Sequence, residues 1–190
     1  MRKGLYSPGE FKDNCGFGLI AHIDGDASHE LLSTAIESLT CMTHRGGIAA
    51  DGKTGDGCGL LLQKPDRFLR AVASEQLGVE LPANYAVGQI FLSPDDASAE
   101  AERAAIEQGL AGEKLQVLAW RPLPTDPSVL GEIAQASLPR IEQVFIAAAD
   151  GLSQQALAVS LFVARRKAEL AVGENDYFYI CSLSDAVIAY

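Results

Sequence analysis

From residue 65 onward the sequence alternates between helix-like and strand-like patterns, and this alternation most constrains the fold. Apolar residues at helical spacing predict helices, whereas short apolar runs rich in β-branched and aromatic residues predict strands. Such an order predicts a layered domain of the α/β or α+β class. The predicted helices are 65–77, 95–110, 127–136 and 153–170, and the predicted strands are 85–92, 115–121, 140–148, 177–183 and 186–190.

The region before residue 65 carries a less regular pattern. Residues 1–14 are polar and interrupted by glycine and proline, which is typical of a flexible leader. Residues 15–23 form an apolar run that predicts a strand, and Ser28 is a suitable cap for a helix extending to Met42. A further apolar strand is predicted at 58–63.

Charge and hydropathy exclude several classes of partner. The chain of 190 residues has a net charge of −10, and it contains no basic stripe that could bind a phosphate backbone, so nucleic acid is not an expected partner. Its longest apolar run, 156–164, is too short to cross a membrane. The N-terminus also lacks the apolar segment of a secretory signal.

The cysteines and histidines do not form a metal-binding pattern. No two of the four cysteines have the CxxC spacing of zinc or iron–sulfur sites, and the three histidines do not cluster, so no metal site is predicted. Free thiols are the default for a protein inside the cell, and a cytoplasmic location is expected.

Cys15 is the strongest candidate for a catalytic residue. Cleavage of the Asn14–Cys15 bond would give one residue both a thiol and a free α-amine, and that amine titrates near neutral pH. It could therefore act as the general base for its own thiol. Gly16 and Gly18 would let a substrate approach the backbone closely. The alternative is an inert, buried cysteine that behaves as a small apolar residue.

A glycine-rich segment between residues 44 and 59 contains the letters of a phosphate-binding loop. Gly47, Gly52, Lys53 and Thr54 match the pattern GxxxxGKT. A functional loop of this kind follows a strand and opens a helix. Here a helix is predicted before the segment and a strand after it, so the context is inverted and nucleotide binding is not expected.

Several motifs along the chain occur together in one known family. They are DNCGFG at 13–18, MTHRG at 42–46, DGKTGDGCGL at 51–60, NYAVG at 84–88, SLPRIEQ at 137–143 and CSLS at 181–184. Through these segments, which extend over nearly the whole chain, the sequence resembles the N-terminal domain of glutamate synthase large subunits. That domain is a class II glutamine amidotransferase domain with the N-terminal-nucleophile fold.

The resemblance implies a specific organisation and chemistry. Residues 1–14 would be a propeptide, and 15–190 would be part of an α+β domain built as a four-layer αββα sandwich. Cys15 would attack the side-chain amide of glutamine, release ammonia and leave a thioester that water hydrolyses. Gly16 and the motif His44-Arg45-Gly46 would lie next to the site in a structural role.

The resemblance also places other functions outside this segment. Ammonia would react with 2-oxoglutarate, and FMN and an iron–sulfur cluster held by the remaining domains would supply the reduction, with electrons delivered by a small subunit. This segment itself would bind no cofactor. The family's oxyanion-hole and substrate-clamping motifs do not occur in the sequence. They are expected beyond Tyr190, so the domain would be incomplete at its C-terminus and inactive alone.

Two alternatives remain open at this point. The chain could be a non-catalytic amidotransferase-like domain that serves interaction or regulation. It could also be another N-terminal-nucleophile hydrolase acting on a different amide, although the GDGCG and SLPRIEQ segments argue against that hypothesis.

Overall fold

The fold is given by a computed structural model, which describes residues 16–42, 47–55, 57–148 and 152–190. These residues combine helices with antiparallel sheets, so the predicted α+β class is confirmed. The elements are α1 His29–Cys41, β1 Leu61–Gln63, α2 Asp66–Leu77, β2 Tyr85–Leu92, α3 Asp96–Gly112, β3 Gln116–Pro122, α4 Glu132–Ala136, β4 Arg140–Ala147, α5 Gln154–Val172, β5 Tyr179–Ser184 and β6 Val187–Ala189.

The chain divides into two compact units. The smaller unit comprises residues 1–48 and 55–58, and the larger unit comprises 49–54 and 59–190.

In the smaller unit, helix α1 begins as predicted but the strand before it is absent. Ser28 caps α1, because its Oγ accepts a hydrogen bond of 3.1 Å from the N–H of Leu31. The strand predicted at 15–23 was wrong for its described part, since 16–23 has no strand geometry and exposes Phe17 and Leu19 to 92% and 88%. A β-strand requires a hydrogen-bonded neighbour, and an apolar sequence alone does not provide one.

The larger unit is built on a four-stranded antiparallel sheet with the order β3-β4-β2-β5. Strands β2 and β4 pair without interruption from Tyr85 opposite Ala147 to Leu92 opposite Arg140. Between β2 and β5 the register shifts after Gln89, where Cys181 is the extra residue on β5.

Helices α3 and α5 cover one side of this sheet, here called the outer face. Their apolar residues join alternate residues of the strands in one core that includes Ile90, Ile106, Val144, Leu161 and Ile180. The helices approach so closely that a Cβ added to Gly109 of α3 would lie 2.7 Å from the carbonyl oxygen of Ala164 in α5. None of the helices in the described ranges is long and apolar enough to cross a membrane.

The opposite side, here called the inner face, is covered by α2 and by a two-stranded sheet of β1 and β6. Leu69 of α2 and Ile188 of β6 are buried there together with Tyr85, Val87 and Phe145 of the larger sheet. The larger unit thus contains a helical layer, a sheet, and then a second layer that holds the smaller sheet.

The structure adjusts several predicted boundaries. The helix predicted at 127–136 is a 3₁₀ turn, Pro127–Val129, followed by the separate five-residue helix α4. The strand predicted at 58–63 is confined to β1, because only Leu61–Gln63 pairs with β6. Pro65 is the N-cap of α2 and not its first residue.

Candidate functional site

The predicted nucleophile and its nearest predicted neighbours fall outside the described residues. This applies to Cys15, to the cleavage position after Asn14, and to His44, Arg45 and Gly46. The described residues that adjoin them are Gly16, which is exposed, and Met42, which caps the C-terminus of α1. The roles proposed for all of these residues therefore remain predictions.

The glycine-rich segment contains a well-defined turn centred on Asp51. Its carboxylate accepts hydrogen bonds from the backbone N–H groups of Lys53 and Thr54, at 3.1 and 2.8 Å, and from the hydroxyl of Thr54 at 2.5 Å. A fourth bond, 3.1 Å long, comes from the distant N–H of Ile133. These bonds, the Thr54 hydroxyl first among them, hold the pKa of the Asp51 carboxyl well below its usual range.

The same turn caps helix α4. The N-cap residue Gly131 has no side chain, so it cannot satisfy the first N–H groups of the helix. Asp51 accepts from Ile133, and the Thr54 hydroxyl accepts from Ala134 at 3.2 Å. A Cβ on Gly131 would lie 2.7 Å from the backbone nitrogen of Thr54, so glycine is required for this approach. The turn 51–54 and α4 therefore form one structural element, here called the distal cap.

This geometry explains why residues 47–54 do not form a phosphate-binding site, although they match the sequence pattern of a phosphate-binding loop. In a phosphate-binding loop the hydroxyl of the final Thr and the surrounding N–H groups face a ligand. Here the Thr54 hydroxyl donates to Asp51 and accepts from Ala134. In the described residues the next element after Thr54 is the strand β1, so Thr54 does not open a helix. The prediction against nucleotide binding is consistent with this arrangement.

A row of polar side chains crosses the inner face of the four-stranded sheet, and we call it the polar row. Arg121 of β3 pairs in register with Gln143 of β4, Gln143 pairs with Gln89 of β2, and Gln89 pairs with Ser182 of β5. All four residues are buried. Directly opposed residues point to the same face of a sheet, so one polar side chain from each strand lies in this row.

Only part of the polar row is hydrogen-bonded. The guanidinium at one end donates to Oε1 of Gln76 at 2.7 Å, and the serine at the other end accepts from the N–H of Ala189 at 3.1 Å. In the middle, Nε2 of Gln143 donates to the hydroxyl of Tyr190 at 3.4 Å. Among the described residues, the Oε1 atoms of Gln89 and Gln143 are buried without a hydrogen-bond partner.

The buried carboxylates on the outer face all have hydrogen-bond donors, in contrast to the amide oxygens of this row. Glu142 forms a bidentate ion pair with Arg103 of α3. Glu102 accepts from the N–H and hydroxyl of Ser93, at 2.7 and 2.5 Å, and from the side-chain amide of Asn175 at 2.9 Å. These contacts fix α3 against the sheet, so they have a structural role.

A small polar cavity of about 250 Å³ lies beside the start of β2. The ammonium of Lys64 lines it, donates to the carbonyl oxygen of Tyr85 at 2.9 Å and lies 3.7 Å from the centre of its ring. Burial lowers the pKa of Lys64, and the carboxylates of Asp66 and Asp185 oppose that effect. The lysine is held by these contacts, which join β1 and β2.

The described cysteines do not converge on a common site. Cys41 and Cys58 are exposed, whereas Cys181 is half-buried and burial raises the pKa of its thiol. Within the described ranges, no three His, Cys, Asp or Glu side chains lie together in a group that could hold a metal ion.

Sequence patterns did not single out the polar row or the distal cap. A signal for the row was present, because Gln89 and Gln143 alternate with apolar or aromatic residues at every second position of two predicted strands. No comparable signal marks the distal cap, since its two halves lie about eighty residues apart.

Comparison with known proteins decides the family. A sequence profile of the class-II glutamine amidotransferases matches residues 15–190. The chain belongs to this family. The predicted resemblance and the predicted class of N-terminal-nucleophile amidotransferase are thereby confirmed.

This amidotransferase domain is similar to the large chains of glutamate synthases. It is 39% identical to the glutamate synthase [NADPH] large chain of Azospirillum brasilense, over 97% of this chain and 12% of that protein. It is 36% identical to the glutamate synthase [NADH] of Schizosaccharomyces pombe, over 99% and 9% of the two chains. With the ferredoxin-dependent glutamate synthase 1 of Arabidopsis thaliana the identity is 37%, over 93% and 11%. The chain thus spans about a tenth of the length of these relatives.

Proposed function

We propose that this amidotransferase domain is the glutaminase part of a glutamate synthase, in which it releases ammonia from glutamine. The observation that carries the proposal is the match to class-II glutamine amidotransferases over residues 15–190, which begins at the predicted nucleophile. The similarity to glutamate synthase large chains over almost the whole chain supports the more specific assignment.

In the proposed reaction, Cys15 acts as an N-terminal nucleophile after cleavage of the Asn14–Cys15 bond. Its α-amine takes the thiol proton, and the sulfur attacks the side-chain carbonyl carbon of glutamine. The C–N bond then breaks, the nitrogen leaves as ammonia with that proton, and a γ-glutamyl thioester remains. Water hydrolyses the thioester, which gives glutamate and restores the thiol.

The residues next to Cys15 have proposed supporting roles. Gly16 has no side chain to block the approach of glutamine and is exposed in the structure. The motif His44-Arg45-Gly46 is proposed to support the site without taking part in the chemistry. It follows α1 directly, whose last turn ends at Cys41.

The complete enzyme would use the ammonia elsewhere. We propose that it reacts with 2-oxoglutarate and that a reductant converts the product to glutamate in other domains of the large subunit, with a small electron-transferring subunit as partner and the cytoplasm as location. Relatives named for NADPH, NADH and ferredoxin match this chain at 39%, 36% and 37% identity. The identity is therefore nearly the same whichever electron donor the relative is named for, as expected of a domain that does not contact the donor.

The residues described here do not fit the cofactors that such an enzyme implies. An iron–sulfur cluster needs several cysteines at one place, and the described cysteines do not provide such a group. The phosphate of FMN needs a cradle of free donors, whereas Thr54 and the N–H groups of the glycine-rich turn are used by the distal cap. No step of the proposed glutaminase reaction involves either group.

Intact-mass measurement tests the proposed nucleophile. The full-length protein is expressed from Met1, because the substrate-clamping motifs are expected outside this segment. It is weighed before and after exposure to 6-diazo-5-oxo-norleucine, an electrophilic analogue of glutamine. The expected result is a mass that begins at Cys15 and gains one adduct. The adduct should disappear in Cys15→Ala and persist in the matched control Cys58→Ala, whose thiol is exposed in the structure.

Two results would contradict the proposal. A mass that still begins at Met1, with no adduct on the full-length protein, would favour a non-catalytic domain. An adduct that survives Cys15→Ala but is lost in Cys58→Ala would assign the reactive thiol to another position.

A further inference from the structure

The two unpaired amide oxygens of the polar row require an explanation. Gln143 is 0% exposed and Gln89 is 4% exposed, and neither Oε1 atom reaches a donor in the described part of the chain. Burial removes the water that would otherwise bind a carbonyl oxygen, and folded proteins rarely leave such an atom without a donor. Within the described residues, these two atoms are therefore the buried acceptors whose hydrogen bonds remain to be explained.

The position of the two glutamines narrows what that donor can be. They are directly opposed in β4 and β2, so their Cβ atoms are about 4.5–5.5 Å apart on one face of the sheet. Along the strands their buried neighbours on that face, Phe145 and Val87, are apolar and offer no hydrogen bond. Across the sheet they are flanked by Arg121 and Ser182, which carry donors but do not donate to either Oε1 atom. A donor that satisfies both atoms must therefore lie between the amides or above them.

The charge of the polar row also constrains the occupant. Arg121 is buried at the next register position beyond Gln143, and no carboxylate among the described residues forms an ion pair with it. Its positive charge opposes the binding of a second cation nearby. Two carbonyl oxygens, which can only accept hydrogen bonds, oppose the binding of an anion.

We infer that the inner face holds a binding site for one uncharged molecule with two donor hydrogens, a water molecule, between Gln89 and Gln143. Water has the required size, and buried water commonly bonds to groups that the protein leaves unpaired. One hydrogen would be donated to each Oε1 atom. The hydroxyl of Tyr190, which bonds to Nε2 of Gln143, would close the site from the side of the smaller sheet.

The site would make the two glutamines act as a single unit. Each amide oxygen would be satisfied only while the water is retained, and the water would be retained by both oxygens. Replacement of one glutamine would weaken the bonding of the other, whereas replacement of both would remove the need for the water. This inference does not depend on the proposed reaction.

A double-mutant cycle tests this coupling. Gln89→Met and Gln143→Met keep the side-chain length but remove the amide, and Gln116→Met is the control because Gln116 is exposed on the neighbouring strand β3. Each single variant should lower the urea midpoint of unfolding, and the double variant should lose clearly less than the sum of the two. The control should not shift the midpoint. Losses that simply add would overturn the inference.

A crystal structure of the unchanged protein at atomic resolution gives a second test that needs no variant. The expected result is density for one molecule within hydrogen-bond distance of Oε1 of both glutamines. Three other results would each overturn the inference: an N–H or O–H group of the protein in that position, a separate water on each amide, or an empty space.

Discussion

The two faces of the four-stranded sheet differ in how their buried polar groups are hydrogen-bonded. On the outer face, Glu142 is paired with Arg103 and Glu102 accepts three hydrogen bonds, while the rest of the core is apolar. On the inner face a polar row crosses all four strands, and two of its amide oxygens lack a protein donor in the described residues. Within the described residues, the same strands therefore present one face whose buried carboxylates are hydrogen-bonded and one face on which two buried amide oxygens are not.

The two faces also differ in the size of their apolar cores, which predicts where stability is concentrated. Helices α3 and α5 lie on the outer face, which has the larger apolar core and whose buried carboxylates, Glu102 and Glu142, are hydrogen-bonded. The inner face has a smaller apolar cluster and keeps polar groups in its interior. We expect changes on the outer face to affect mainly stability, and the following variants test this expectation.

The largest effect is expected from Leu161→Ala in α5. Leu161 is buried in the outer core, and its truncation should lower the free energy of unfolding by about 2–5 kcal/mol. The next residue, Phe162, is exposed on the same helix, and Phe162→Ala should change the free energy by less than about 0.5 kcal/mol. Urea unfolding measures both, and equal losses would show that the outer core is not the main source of stability.

A smaller loss is expected when the outer-face ion pair is broken. The side chain of Glu142 is 5% exposed and that of Arg103 is 27% exposed, so Glu142→Gln leaves a partly buried charge unpaired. After allowance for solvent screening, the loss should be about 2 kcal/mol. Asp96→Asn is the control, because its 95% exposed carboxylate pairs with Arg140 and should contribute at most about 1 kcal/mol. Indistinguishable urea midpoints for the two variants would contradict this ranking.

The close approach of α3 and α5 predicts that a glycine-to-alanine substitution in α3 lowers stability, although helix propensity alone predicts that it raises stability. Alanine normally stabilises a helix relative to glycine, yet in Gly109→Ala the new methyl group would meet the Ala164 carbonyl, and a net loss of about 1–2 kcal/mol is expected. At Gly112 the nearest atom is the flexible Lys167 Nζ at 3.5 Å, so Gly112→Ala should not destabilise the protein. Thermal unfolding distinguishes the two, and stabilisation by Gly109→Ala would show that the helices can separate at little cost.

The smallest mutational effect is expected at the distal cap, which belongs to neither face. Thr54→Val removes the hydroxyl that accepts from Ala134 and should cost about 1 kcal/mol, as for other helix caps. This loss should add to that of Leu161→Ala, because the two sites share no partner. Strong non-additivity would mean that the cap and the outer core are coupled.

Acid should weaken the same cap through Asp51. Its hydrogen bonds hold the pKa of the carboxyl below the unfolded value of about 3.9, so the carboxylate form favours folding. This contribution is fully present above the unfolded pKa and is lost as the pH falls toward the folded pKa. In Asp51→Asn the loss of stability on acidification should be less steep than in the unchanged chain, and identical slopes would contradict the role of the carboxylate.

Local patterns predicted most elements of this fold. Strand β2 was predicted at 85–92 and is found there, because its apolar residues and flanking turn determine it without reference to the rest of the chain. Helix α5 was predicted at 153–170 and spans Gln154–Val172, so Ser153 is its N-cap and not its first residue. The strand predicted at 15–23 failed in its described part, because pairing depends on a partner that the pattern does not specify.

The candidate site was predictable only where chemistry is encoded in neighbouring residues. The proximity of Cys15 to a polar leader indicated an N-terminal nucleophile, and the family match supports that hypothesis. The polar row depends on the register of four strands, and the distal cap depends on a contact between residues 51–54 and 131–134. Interactions of this kind arise from the tertiary fold, so no local window contains them.

The distal cap has a consequence for the order in which the chain folds. Helix α4 has five residues, which are too few to form a stable helix alone. The side chains that cap its N-terminus belong to residues about eighty positions earlier in the chain. Closing such a long loop is slow relative to forming a helix, so α4 should form late and after the sheet has begun to assemble. The amide protons of Ile133 and Ala134 would then gain protection from solvent exchange only at the end of refolding, and would report when the glycine-rich turn has docked.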